Sequence, residues 1–281
     1  MRNYGRKIGL LIAGSSGDAL DLSGFRVVFS VEKTAAEQPN KAKIEIWNLS
    51  DTTASMLLTG KMTRIVLQAG YVDNSAVLFD GNIIAAKRIR QGTDVIVSID
   101  AGDGDKSYSF AVVQQSIASG YSSADVAKAS VTELQAKGAR GASVDAIKAE
   151  TKFPRGRVMF GAARKFAREV AKTTECQWSI QDGQVVFCKV KSATEGAQAF
   201  LLSPSSGLVG APTVDKDGVK AACCLNPQLH IYDPIQIHSE FVDGTYKILT
   251  VKHSGDTHGN TWTTEISGTL LDASTSETTQ T

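Results

Sequence analysis

Through most of the first hundred residues, apolar side chains fall at every second position. In LDLSGFRVVFSVEKT these are Phe25, Val27, Phe29 and Val31; in KAKIEIWNLS they are Ala42, Ile44 and Ile46, with Asn48 continuing the row. A period of two turns one face of an extended chain toward a core and the other toward solvent, so it selects strands and excludes helices. The pattern returns in RKIGLLIAG, TRIVLQAGY, VLFDGNIIAAKRIRQ and DVIVSIDAG, punctuated by the turn signals VDN, RQGTD and GDGD. The segment DTTASMLLTG between them reads as a short helix, capped by Ser50 or Asp51 and ended by Gly60. Many short strands around one helix predict a β-barrel or sandwich.

Residues 111–190 carry a different period. SSADVAKASVTELQAKG predicts a helix with Ser122 or Ser123 as its N-cap, and Val126, Ala129 or Ser130, and Leu134 on one face. GAARKFAREVAKTTE predicts a second helix that buries Ala163, Phe166, Ala167 and Val170. CQWSIQDGQVVFCKV predicts a hairpin turning at Asp182–Gly183. This middle reads as a small α+β domain. After a linker-like KSATEGAQA, alternation resumes: Tyr246, Ile248 and Thr250 share a face, as do Trp262, Thr264 and Ile266. The fold class expected is mainly β with an α+β insertion. Residues 1–110 and 191–271 form strand-rich domains, 111–190 the insertion, and 272–281 a disordered tail.

Thirty basic against 29 acidic residues give a net charge of +1, which disfavours a general binder of nucleic acid or anionic membranes. No stretch approaches the ~20 apolar residues of a membrane span. The run GLLIAG is too short for a signal peptide, so the expectation is folding in a cytoplasm. Four cysteines, Cys176, Cys188, Cys223 and Cys224, form no disulfide framework.

The stretch VKHSGDTHGNTW holds the strongest candidate chemistry, because His253, Asp256 and His258 lie within six residues. Metal sites and acid–base pairs need converging donors. Helical His pairs achieve this at i and i+4, a spacing that Gly255 and Gly259 deny here. The residue types suit a turn instead, with a strand ending near Lys252 and another starting near Thr261. His230 and His238 read as strand residues on either side of an Asp233–Pro234 turn. AGDGDKS opens like a calcium loop at Asp103 and Asp105 but has Gln114 where the bidentate Glu belongs, so it reads as a solvated turn. The basic run Lys152, Arg155, Arg157, Arg164, Lys165 and Arg168 reads as a solvated face. No serine-hydrolase, phosphate-loop or dinucleotide motif is present. The reading is of no catalytic residue, no cofactor and no metal.

The residues set aside as chemistry carry a resemblance. Asn40, Ile44, Ile46, Asn48, Leu49 and Ser50, followed by a helix, the pair Gly70–Tyr71, and Phe79, Gly81 and Ile83, resemble the first domain of phage tail baseplate hub proteins. LLSPSSGLVGAP with LNPQL, and Tyr246, Ile248, Val251, His253, Gly255, Asp256, Thr257, Gly259 and Trp262, are similar to later segments of that family. One departure is His230–Ile231–Tyr232, where the family pattern has a glycine after the LNPQL turn. The resemblance implies two tail-tube-like β-barrel domains flanking the α+β domain. It also implies a homotrimeric structural hub of a contractile tail, located in the virion baseplate and assembled in the host cytoplasm. The partners implied are the tail tube protein, the central spike protein, the tape measure protein and other baseplate proteins. DNA would pass transiently through the lumen, without stable membrane association. Two rival functions stay open. One is a metal-dependent or cell-wall hydrolase using His253, Asp256 and His258. The other is a carbohydrate- or receptor-binding tail-tip module, which needs an exposed aromatic platform, whereas Trp47, Trp178 and Trp262 all lie in alternating strands, a setting that favours burial.

Overall fold

The computed structural model describes residues 4–14, 17–148, 151–194, 197–216 and 218–271. The expected disordered tail, 272–281, lies outside the described residues. The chain divides into two compact units. The first gathers Met1–Lys33, Asn40–Asp103 and Gly196–Leu271, and the second holds Thr34–Pro39 and the stretch 104–195.

In the first unit the strands are β1 (Arg6–Gly14), β2 (Ala19–Asp21), β3 (Val27–Thr34), β4 (Lys41–Trp47), β5 (Met62–Tyr71), β6 (Asn74–Gln91) and β7 (Asp94–Gly102), with helix α1 (Asp51–Leu58) between β4 and β5. Val27, Phe29 and Val31 of β3 and Ile44 and Ile46 of β4 are buried, as the alternation requires. Full burial of each such side chain contributes about 1.5–3 kcal/mol. Phe25 does not join them: it precedes β3 and stays exposed, because the strand starts two residues later. The side chain of Ser50 caps α1 by accepting the Thr53 N–H, and Gly60 ends it at φ +71°.

The second unit holds α2 (Asp105–Phe110), β8 (Val112–Ile117), α3 (Ser123–Ala136), β9 (Gly141–Ser143), β10 (Arg157–Ala162), α4 (Ala163–Thr173), β11 (Cys176–Gln181) and β12 (Gln184–Lys189). A capping box of Ser122 and Asp125 starts α3. Its buried face uses Val126, Ser130 and Leu134, and α4 buries Ala163, Phe166, Ala167 and Val170. The Asp182–Gly183 hairpin forms, with both turn residues at positive φ. AGDGDKS is not a solvated turn: Asp103 is buried and α2 begins at Asp105, since Gly104 takes the left-handed conformation that turns the chain into a helix. The basic run is partly tied down. Arg157 forks onto Glu169 at 2.7 Å, Arg168 meets Glu37 at 2.7 Å, and Arg164 donates to the Tyr108 carbonyl.

Back in the first unit lie β13 (Phe200–Leu202), β14 (Leu208–Asp215), β15 (Gly218–Cys224), β16 (Pro234–His238), β17 (Asp243–Asp256) and β18 (Trp262–Leu270). One thirteen-stranded sheet runs β14-β15-β18-β17-β3-β4-β7-β6-β5-β1-β2, with β13 and β16 branching from β17. The two strand-rich segments therefore meet where β17 lies beside β3. The fold is mainly β with an α+β insertion.

Two expectations about this part are corrected. His230 is not in a strand; of the two strands expected around Asp233–Pro234, the second forms, as β16, and the first does not. Tyr232 occupies the turn at φ +74° and is buried, held by its N–H to the Ile248 carbonyl at 2.9 Å and by Lys247 Nζ at 4.9 Å from its ring. A tyrosine in this conformation is strained by about 1–2 kcal/mol, which those contacts offset. Thr250 does not share a face with Tyr246 and Ile248. A bulge between Ile248 and Thr250 reverses the alternation and turns Val251, His253 and Gly255 inward. All four cysteines are free, and burial, with Cys224 alongside, raises the Cys223 thiol to about 12. Among the described residues no helix is long and apolar enough to cross a membrane.

Candidate functional site

The stretch from His253 to Trp262 is a hairpin whose first strand reaches Asp256, four residues beyond the expected end, and whose second begins at Trp262. His253 and Asp256 are three positions apart on an extended strand, so their side chains leave opposite faces. His253 points into the protein, 1% exposed, with Nδ1 2.8 Å from Thr264 Oγ1. Thr264 Oγ1 already accepts the Asn226 N–H, which directs its own proton toward His253 Nδ1. Burial, reinforced by Lys33 and His230, pulls the imidazole from 6.5 to about 3, so it is neutral at physiological pH.

Asp256 faces the other way. Arg26 reaches it with Nη2 at 2.8 Å from Oδ2 and Nε at 3.3 Å from Oδ1, while the His258 N–H donates to Oδ1 at 2.9 Å. The Arg26 guanidinium holds the Asp256 carboxyl below the usual carboxylate range. Partial burial opposes this, and the backbone N–H groups of His258 and Gly259 assist it. Arg26 also lies 4.2 Å from the centre of the Trp47 ring. Arg6, from the start of β1, donates to the carbonyls of Asp256, Gly259 and Asn260 and covers the Trp262 ring at 5.3 Å. Thr257 donates its N–H to the Val27 carbonyl, and its Oγ1 accepts the Val27 N–H. His258 is exposed, with Nδ1 beside Thr257 Oγ1. The loop is thus clamped by two arginines from distant parts of the sheet.

Beneath the clamp, Trp262 packs edge-on to Phe29 with centroids 5.5 Å apart and donates its indole N–H to the Gly70 carbonyl. Gly255 sits where a Cβ would strike both rings. The remaining motif residues also hold structure. Asn48, at φ +56°, bridges Asp94 and the Val95 N–H. Leu49 is in the core. Gly81 lets the Phe79 ring and the Gly102 carbonyl approach to 2.6 and 2.5 Å of where its Cβ would be. Tyr246 is buried opposite Ile235 and Leu270.

His253, Asp256 and His258 therefore do not converge, and among the described residues no group of three His, Cys, Asp or Glu could hold a metal. Trp178 and Trp262 are buried and Trp47 is half-buried, so the three make no exposed aromatic platform. Residue reasoning missed Arg6 and Arg26. Their signal was faint: two cations beside the first strands, whose partners lie about 230 or more positions later.

A sequence model of the family described as baseplate hub gp41 matches residues 9–268. The chain belongs to this family. It is a structural tail hub, and the family places it in the virion tail and points to a structural rather than an enzymatic role. Solved structures share its fold at low identity. A tail protein from Neisseria meningitidis MC58 matches with TM-score 0.65 and 9% identity, over 94% of this chain and 96% of that one. The 43 kDa tail protein of prophage MuSo2 from Shewanella oneidensis matches with TM-score 0.62 and 9% identity, over 94% and 98%. The E. coli c3393 protein, a component of the type VI secretion system similar to T4 tail proteins gp27 and gp5, matches with TM-score 0.60 and 9% identity, over 94% and 77%. No curated protein matches significantly.

Proposed function

We propose that the chain is a homotrimeric adapter in the baseplate, joining a hexameric tail tube to a trimeric central spike. In this reading residues 1–110 and 191–271 supply two tube-like barrel domains per chain, and residues 111–190 supply the α+β domain. Three chains then present six similar units to the tube and three to the spike, which resolves the symmetry mismatch between the two.

The observation that carries the reading is the joint between β3 and β17, through which one chain sets two strand-rich segments side by side in one sheet. Similarity of the c3393 protein to gp27 and gp5 supports partners of tube and spike type. The tape measure protein, other baseplate proteins and transient DNA passage belong to the same proposal, as do a contractile tail and assembly in the host cytoplasm. The proposal includes no stable membrane association. The motif residues Ile44, Ile46, Asn48, Leu49, Phe79, Gly81, Tyr246, His253, Gly255, Asp256 and Trp262 act as structural determinants, because their side chains or backbones pack, bridge or clamp strands.

Native mass spectrometry of the purified full chain, followed by imaging of assembled tails, tests this. A trimer enclosing a central channel is expected. A chain that stays monomeric, in solution and in assembled tails, refutes it.

A further inference from the structure

Strand β6 is eighteen residues long, but β5 pairs with it only as far as Asn82. Among the described residues, Ile83 to Gln91 pairs with β7 alone, and no other strand covers its outer side. This leaves about 30 Å of sheet edge without a strand partner at the usual strand rise, with α1 against β6 near Arg88. Such an edge is a template for another strand. It is also positively charged: Lys87, Arg88 and Arg90 project from it, and the segment carries no acid. Arg88 is engaged by Asp51, whereas Lys87 and Arg90 form no ion pair among the described residues. Ile89 lies between them, 39% exposed.

The complementary edge is on the same chain. Among the described residues the main path of the sheet ends at β14 on one side and β2 on the other, and the β16 branch ends at β13, whose Phe200–Leu202 carries no charge. Strand β14 is blunted by Pro212 and by irregular pairing between Val209 and Thr213. Strand β2 is short and pairs only with β1; it carries an exposed carboxylate at Asp21, and the exposed Asp18 immediately precedes it. Asp21 Oδ1 accepts from Ser23, and a carboxylate takes about four hydrogen bonds, so further donors fit. The spacing Lys87–Arg90 equals the spacing Asp18–Asp21.

We propose that the Ile83–Gln91 edge of one copy adds antiparallel to β2 of a second copy, with Lys87 opposite Asp21, Arg90 opposite Asp18, and Ile89 opposite Ala19. The two edges are different surfaces, so the contact is head-to-tail rather than a twofold dimer, and a threefold rotation closes it into the ring of three proposed above. This contact deepens, and rests on, the trimeric reading above.

Two experiments on the full chain test it. In the first, Ile89→Cys and Ala19→Cys are combined; directly opposed strand residues lie within disulfide reach. Oxidation is expected to give covalent oligomers, whereas either single variant does not. In the second, Lys87→Glu with Arg90→Glu raises the concentration needed for trimer by about tenfold or more, and Asp18→Lys with Asp21→Lys does the same. All four changes together restore assembly. If the wild type is trimeric but the cysteine pair does not cross-link and charge reversal leaves assembly unchanged, the edge contact is wrong while the trimer stands. If the wild type is monomeric at every concentration and in assembled tails, and no cross-link forms, the trimeric reading falls and this contact with it.

Discussion

Replacing Gly255 with alanine tests the packing beneath the hairpin clamp. A Cβ at this position comes within 2.5 Å of Phe29 Cε1 and 2.8 Å of Trp262 Cε3. Neither ring has room to yield, since Phe29 is 2% and Trp262 3% exposed. Forcing a methyl into a packed core costs about 1–3 kcal/mol. Prising apart the edge-to-face pair forfeits a further ~0.5–1.5 kcal/mol. The expected loss is therefore about 1.5–4.5 kcal/mol, read as a lower urea midpoint by circular dichroism with unchanged slope. Gly24→Ala is the control, because no atom lies within 4 Å of its added Cβ. Should Gly255→Ala shift stability by no more than that control, under about 0.5 kcal/mol, the inference that this glycine exists to admit two rings is refuted.

Three further outcomes are expected. The buried His253 resists protonation down to about 3, so between pH 6.5 and 3 the unfolded chain binds a proton that the folded chain refuses. Stability should fall with pH across that window by up to about 1.4 kcal/mol per unit, and urea titrations of His253→Gln should show a flatter slope. Arg26→Ala should speed amide hydrogen exchange in residues 257–261, measured by mass spectrometry, while β3 and β4 keep their protection. Asn48→Val should cost about 2 kcal/mol in thermal or urea unfolding, from the left-handed backbone and the lost acceptor for Val95, whereas Asn48→Gly costs less.

Local rules made much of this architecture legible. Val27, Phe29 and Val31 revealed β3 by alternation, Ser50 announced α1, and Asp182–Gly183 marked a hairpin. What escaped was set by residues far away. The inward turn of His253 follows from a bulge near Leu249, and a bulge leaves no mark in a hydrophobic pattern beyond a broken phase. The partner of Asp256 is 230 positions earlier, and no local spacing encodes such a pairing. The helix at Asp105 was hidden by a Gly-Asp-Gly-Asp run that mimics a turn in every residue type.

The joint between β3 and β17 also has a temporal side. A ribosome adding roughly 5–20 residues per second needs about 10–40 s to make the ~200 residues between these strands. During that interval the edge of β3 that pairs with β17 is without its neighbour, while the stretch 104–195, with Thr34–Pro39 already made, has time to fold. Nascent chains are then most vulnerable to aggregation before β17 emerges, and a translational pause ahead of Asp243 would lengthen the exposure.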